Sequence, residues 1–193
     1  MLFIKQFVIM NIRSFYRKLY KAIIGSLYPM KYAKKIGVNF CGCENDTKIY
    51  GRVSWGTEPW LITIGKDCHI TDGVKFETHD GGTLLFRKDF PDLEITKPIT
   101  IGDECYIGNN AIFLPGVTVG NHCIIGAGAI VSHDIPDNSV AAGVPARVIK
   151  TTDEYLEKIK KESLHLGHLK GREKDIALMK YYNYQGNSHG IYF

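Results

Sequence analysis

The side chains best suited to proton transfer in this 193-residue sequence are its seven histidines, and one of them stands in a distinctive place. His79, in Thr78-His79-Asp80, opens a stretch containing Gly81, Gly82, Arg87, Lys88, Asp89 and Pro91 and ending at Pro98, at the point where a regular pattern breaks. An imidazole, with an ordinary pKa near ~6.5, takes a proton from a hydroxyl at neutral pH, so this position suits a general base. His69, His122 and His133 read as structural. The five cysteines point to neither a disulfide scaffold nor a metal site. Cys41 and Cys43 are too close for an ordinary bridge, no CxxC pair occurs, and Cys68, Cys105 and Cys123 recur at one phase of the pattern, as small buried side chains do.

The pattern itself has a period of six. From Ile101, every sixth residue is apolar: Ile101, Ile107, Phe113, Val119, Ile125 and Val131. The next residue is mostly glycine (Gly102, Gly108, Gly120, Gly126), and the fourth after the column is small or medium: Cys105, Ala111, Val117, Cys123, Ala129 and Ile135. Ile64, Ile70 and Phe76 hold the same register earlier, with Gly65 beside the first. A six-residue period fits neither a helical face nor a two-residue strand alternation; it fits a solenoid whose flat faces each consume six residues. The column points inward and stacks from coil to coil, and the glycine is expected to permit a backbone conformation that a Cβ would resist. An antiparallel sandwich is the competing arrangement. Phe76 and Ile101 are 25 apart, not a multiple of six, so residues 79–98 read as a loop projecting from one corner.

The flanks differ in character. Residues 1–36 form a basic amphipathic helical segment, with Phe3, Phe7, Phe15, Leu19, Ile23 and Leu27 at helical spacing. Residues 1–43 hold eight Lys or Arg and no Asp or Glu, within a chain of net charge +4. That face is either solvated or rests peripherally on an anionic membrane surface. Its apolar run falls short of a membrane span, no secretory signal is apparent, and the expected location is the cytoplasm. Residues 37–150 form the solenoid, and residues 151–193 a C-terminal helix and tail, the helix over 153–166 stopped by Gly167.

Over residues 62–150 the strings Pro98-Ile99-Thr100-Ile101-Gly102, Tyr106-Ile107-Gly108-Asn109, Leu114-Pro115-Gly116-Val117, Ile125-Gly126-Ala127-Gly128 and Ala141-Ala142-Gly143-Val144-Pro145-Ala146-Arg147 resemble the hexapeptide-repeat acyltransferases. Within that family they resemble the galactoside, maltose and nodulation-factor O-acetyltransferases and the capsule or O-antigen O-acetyltransferases. The resemblance implies a mostly β chain: a left-handed parallel β-helix with helical extensions at both ends. It implies a homotrimer with active sites in the subunit clefts, and no nucleic-acid partner. The implied reaction is direct acetyl transfer from acetyl-CoA to a hydroxyl of a sugar or polysaccharide precursor, with His79 as base and no metal. By the same resemblance the backbone N–H of Asn109 holds the oxyanion, Ala127, Ser132 and His133 line the pantetheine track, and Arg147 and Lys150 meet the coenzyme phosphates. Tyr106 shapes the acceptor pocket, joined by Glu58, Trp60 and Asp80. Asp80, Glu77 or a backbone carbonyl orients the imidazole. Gly51 and Pro59 stand where galactoside enzymes place their sugar-holding Asn and Asp. Two other activities stay open: N-acetyl transfer to a nucleotide-linked amino sugar or a xenobiotic, and a zinc hydratase, whose ligand spacing the histidines do not match.

Overall fold

The computed structural model describes residue 19 and residues 23–42 and 46–184. Most of the basic leader and residues 185–193 of the tail lie outside the described residues. Two compact units appear, Met1–Asp153 and Glu154–Phe193.

The first unit is a parallel β solenoid of three sheets. Its short strands are β1 (Asn39–Phe40), β2 (Lys48–Ile49), β3 (Ile62–Ile64), β4 (His69–Ile70), β5 (Lys75–Phe76), β6 (Ile99–Ile101), β7 (Tyr106–Ile107), β8 (Ile112–Phe113), β9 (Thr118–Val119), β10 (Ile124–Ile125), β11 (Ile130–Val131), β12 (Ser139–Ala142) and β13 (Arg147–Thr151). The first sheet runs β1-β3-β6-β9, the second β13-β12-β10-β7-β4-β2, and the third β11-β8-β5. Each coil therefore visits the three sheets in turn. Ile101 pairs with Val119, Ile107 with Ile125 and Phe113 with Val131, an offset of 18 residues in each case, or three faces of six. These pairings are parallel, which rules out the antiparallel sandwich. The one antiparallel exception among the named strands is β13 folding back on β12, with a bulge between Val140 and Ala141.

Inward residues form the core: Ile64, Ile101 and Val119 from the first sheet, Ile70, Ile107 and Ile125 from the second, and Phe76, Phe113 and Val131 from the third are all essentially inaccessible. Aromatic rings extend this core upward. Trp55 stacks on Phe76 and Phe76 on Phe113, with ring centroids 5.0 Å apart in both pairs. Trp55 thus closes the first coil, whereas Trp60, expected in the acceptor pocket, is 64% exposed. The helix α1 (Pro29–Lys35) lies over the same end, burying Ala33 and packing Tyr32 and Ile36 against the core. Capping of this kind is what a solenoid's terminal coil requires, because it has no neighbour to stack on. Phe113→Ala should cost about 3–5 kcal/mol, since stacked rings above and aliphatic side chains below cannot collapse into the vacated space. Denaturant unfolding of the folded variant measures it.

The glycines beside the column act differently from the expectation. Gly65, Gly102, Gly108, Gly120 and Gly126 are absent from the positive-φ positions, which fall instead on Asp67, Gly73, Glu104, Asn110, Gly116, His122, Gly128 and Asn138, among others. Their reason is proximity: a Cβ on Gly102 would sit 2.7 Å from the Gly120 backbone, and one on Gly108 2.5 Å from the Ala127 nitrogen. Corner side chains tie the coils further. Asp103 accepts from the Lys66 N–H, Asn121 from the Asp103 N–H and Asp137 from the Asn121 N–H, at 3.0, 2.8 and 2.6 Å. The thiols of Cys68, Cys105 and Cys123 donate to carbonyls of the next coil, Gly102, Gly120 and Pro136, at 3.1–3.2 Å.

In the C-terminal segment α2 (Thr152–Glu162) ends before Gly167, so the expected helix is shorter than 153–166. A further helix, α3 (Gly171–Tyr181), follows where no separate helix was expected; it buries none of its residues and lacks a strong apolar stripe.

Candidate active site

The chain leaves the solenoid after β5 and returns at β6. Ile64 pairs with Ile101, an offset of 37 against the regular 18, so 19 extra residues are accommodated in that coil. The excursion has a closed neck. His79 bridges Thr96 in antiparallel fashion, the Asp80 N–H donates to Ile95 O at 2.9 Å, and the Lys97 N–H donates to Thr78 O at 2.8 Å. Backbone bonds on both sides therefore hold His79 in place without using its ring. Beyond the neck a 3-10 turn spans Gly81–Leu85, with the Asp80 carboxylate accepting from the Gly82 N–H at 2.8 Å. Asp80 is thus engaged as a turn cap rather than at the imidazole, and Glu77 is not the imidazole's partner either.

That partner comes from the coil above. Glu58 Oε2 lies 3.1 Å from His79 Nδ1, and the Thr57 hydroxyl lies 3.1 Å from the same nitrogen. The Thr57 hydroxyl donates to Glu58 Oε1 and the fully buried Thr78 hydroxyl to Oε2, both at 2.6 Å. These hydroxyls, Thr57 first and then Thr78, hold the Glu58 carboxyl below its ordinary value of 4.5; partial burial opposes them and His79 adds to them. An ionised carboxylate facing Nδ1 favours the tautomer with its proton there, which leaves the lone pair on Nε2, directed away from Glu58. Glu58, expected in the acceptor pocket, is hydrogen-bonded to His79 Nδ1. Gly56 makes the approach possible, because a Cβ there would meet Phe76 O at 2.8 Å and Thr78 Oγ1 at 3.1 Å.

The other candidates divide between two corners. Asn109 and Ala127 share the corner between the second and third sheets in successive coils, joined by the Gly128 N–H donating to Asn109 O at 2.8 Å. Both residues are exposed, and neither backbone N–H has a hydrogen-bond partner among the described residues. Tyr106, 45% exposed, lies on the second sheet three residues before Asn109. Ser132 and His133 lie on the opposite side of the third sheet, at the corner that carries the His79 neck two coils earlier, with Ser132 Oγ 2.9 Å from His133 Nδ1. Arg147 and Lys150 sit on β13 at the far end of the second sheet. Within one chain the imidazole and the free Asn109 N–H are therefore separated by the width of the third sheet, whose outward Ile112 and Ile130 are partly exposed. His69 is hydrogen-bonded to Tyr50 and His122 to Asn138. Among the described residues no group of three His, Cys, Asp or Glu side chains is arranged to hold a metal ion, and no helix is long and apolar enough to cross a membrane.

Residues 98–133 match the bacterial transferase hexapeptide (six repeats) family. Protein CapG of Staphylococcus aureus is 44% identical over 148 residues, covering 76% of this chain and 84% of that protein. The chain belongs to the hexapeptide-repeat transferases. Other relatives of this hexapeptide transferase carry a stated activity. A 2,3,4,5-tetrahydropyridine-2,6-dicarboxylate N-acetyltransferase of Halalkalibacterium halodurans is 47% identical over 92 residues, covering 48% of this chain and 34% of that enzyme. The galactoside O-acetyltransferase of Escherichia coli is 49% identical over 57 residues, covering 30% of this chain and 28% of that enzyme. The hexapeptide transferase is an acetyltransferase. Thr57 went unnoticed in the sequence because its coil precedes the first clear repeat; only the offset of 21 that pairs Ser54 with Lys75 also aligns Glu58 with His79.

Proposed function

We propose that this acetyltransferase moves the acetyl group of acetyl-CoA directly to a hydroxyl of a sugar or polysaccharide precursor, on a left-handed coil assembled as a homotrimer. The observation that carries the reading is the Thr57–Glu58–Thr78–His79 network at the loop neck: a charge-backed imidazole with one nitrogen free, on a rigid support. His79 Nε2 takes the acceptor's hydroxyl proton as the oxygen attacks the thioester carbonyl. The tetrahedral oxyanion is met by the Asn109 N–H, a donor with no competing partner among the described residues. Collapse breaks the carbon–sulfur bond, and the departing thiolate takes the proton from the imidazolium. No acetyl-enzyme forms.

The separation of His79 from Asn109 supports a shared site. A second copy that set its Asn109 corner against this chain's His79 corner would complete the constellation and cover Ile112 and Ile130. Tyr106 would then face the acceptor, and the unpaired Ala127 N–H, with Ser132 and His133, would follow the pantetheine. Residues on β13 suit the coenzyme phosphates: Arg147 is exposed and Lys150 half-buried. Arg147→Ala and Lys150→Ala should each raise the KM for acetyl-CoA several-fold with little change in kcat, because phosphates lie far from the reacting carbonyl. Lost turnover at unchanged KM would move the phosphate site elsewhere.

The deciding experiment is acetyl-CoA turnover against a panel of sugars, sugar phosphates and amino sugars, followed by mild alkali. Alkali-labile product supports the ester; alkali-stable product supports amide formation, the second reading, which the N-acetyltransferase relative favours. No turnover with any saccharide would remove the acceptor assignment.

A further inference from the structure

Of the buried hydroxyl side chains among the described residues, Thr78 is the most deeply placed, at 0% exposure. The coil above comes down directly over it. Ser54 bridges Lys75 in parallel, the Phe76 N–H donates to Ser54 O at 2.9 Å, and the chain then turns at Gly56 with φ of 63°. A hydroxyl sealed in this way needs a partner for its proton. It finds one in Glu58 Oε2 at 2.6 Å. Thr57 makes the matching bond to Oε1, also at 2.6 Å, but from the surface. Each hydroxyl has one proton, and both protons point at the carboxylate, so neither is available to His79 Nδ1. That nitrogen is therefore the donor, 3.1 Å from both Glu58 Oε2 and Thr57 Oγ1.

We propose that Thr78 is a positioning residue for acetyl transfer: its buried hydroxyl fixes the Glu58 carboxylate, and through it the orientation and tautomer of the His79 ring. This rests on the reading of His79 as the base. What separates Thr78 from Thr57 is access to water. Thr57 holds the Glu58 carboxyl down more strongly than Thr78 does in the intact protein. Its hydroxyl is exposed, however, and a water molecule can take its place with a comparable bond. The inaccessible Thr78 site admits no such substitute, so losing that hydroxyl leaves Oε2 without its donor. Thr78 is also held along the backbone, its carbonyl accepting from the Lys97 N–H across the loop neck at 2.8 Å. Hydroxyl and imidazole are thus carried by adjacent residues on one rigid support.

Thr78→Val keeps the shape and removes the hydroxyl. It should lower kcat by roughly fivefold or more at an unchanged KM for acetyl-CoA, the loss of one charge-assisted contact. Thr78→Ser should restore most of that loss, and Thr57→Val should cost less than Thr78→Val. Thr78→Ala, which adds no bulk, gives a second reading if valine disturbs the coil. When Glu58 is already Gln, Thr78→Val should lower kcat no further, because its effect passes through that carboxylate. Carbon-13 NMR of the Glu58 carboxyl needs no turnover. It should titrate at higher pH in Thr78→Val than in the parent, since a donor to its ionised form is gone. Parental kcat in a folded Thr78→Val protein would overturn the proposal, as would a loss that persists undiminished beside Glu58→Gln or a Thr57→Val effect of equal size. An unshifted carboxyl would overturn the Thr78 contact itself. A shifted carboxyl with turnover unmoved by Thr78→Val and His79→Ala alike would instead overturn the acetyl-transfer reading beneath it.

Discussion

Replacing His79 by Ala should lower turnover by roughly a hundredfold or more, the usual contribution of a positioned general base. The fold should survive, because the neck that places this residue is made of backbone bonds and the ring contributes nothing to the buried core. Coenzyme A binding, followed by calorimetry, should match the parent. Added imidazole should restore part of the lost rate, since the vacated space lies beside a 36% exposed side chain and admits a small base. Near-parental turnover in a folded variant would remove His79 from the mechanism and leave His133, at the same corner, as the next base to test.

The second large effect belongs to Glu58, a positioning residue. Glu58→Gln should reduce kcat by at least about tenfold, yet by less than the ~10⁴ seen when a deeply buried orienting carboxylate is neutralised, because this side chain is 25% exposed and water partly replaces its field. The KM for acetyl-CoA should barely move. In a His79→Ala background the same substitution should cost nothing further, which a merely structural role would not produce. Stability adds an independent readout. Folding holds the Glu58 carboxyl below 4.5, so the ionised form contributes stability that is present above the ordinary value and lost as pH falls through the lower folded one. Acid unfolding of the Gln variant should lack that contribution. Equal kcat in parent and variant would mean that Thr57, also within reach of Nδ1, suffices to orient the ring.

The six-residue column was enough to place the solenoid, its inward residues and the excursion that begins at His79, because each regular coil repeats at 18 residues and stacks like on like. Such a repeat is a local property written in the order of residues. The irregular first coil was not readable in the same way: Phe40 pairs with Ile64 at an offset of 24 and Ile49 with Ile70 at 21, so no constant period marks it. It is this coil that supplies Trp55 to the aromatic stack, and Thr57 and Glu58 to the imidazole. The glycines were legible as obligatory but not for the right reason, since close approach of a neighbouring coil leaves no trace in one residue's own sequence context, whereas the left-handed corners fall on Asp, Glu, Asn and His as well as Gly. Residue order alone carried the repeating architecture and singled out His79 as the candidate base. Folding in three dimensions set which carboxylate stands behind that imidazole, that Asp80 caps a turn, and that His79 and Asn109 occupy different corners. Those are distances between segments brought together by coils of unequal length, and residue order alone does not set them.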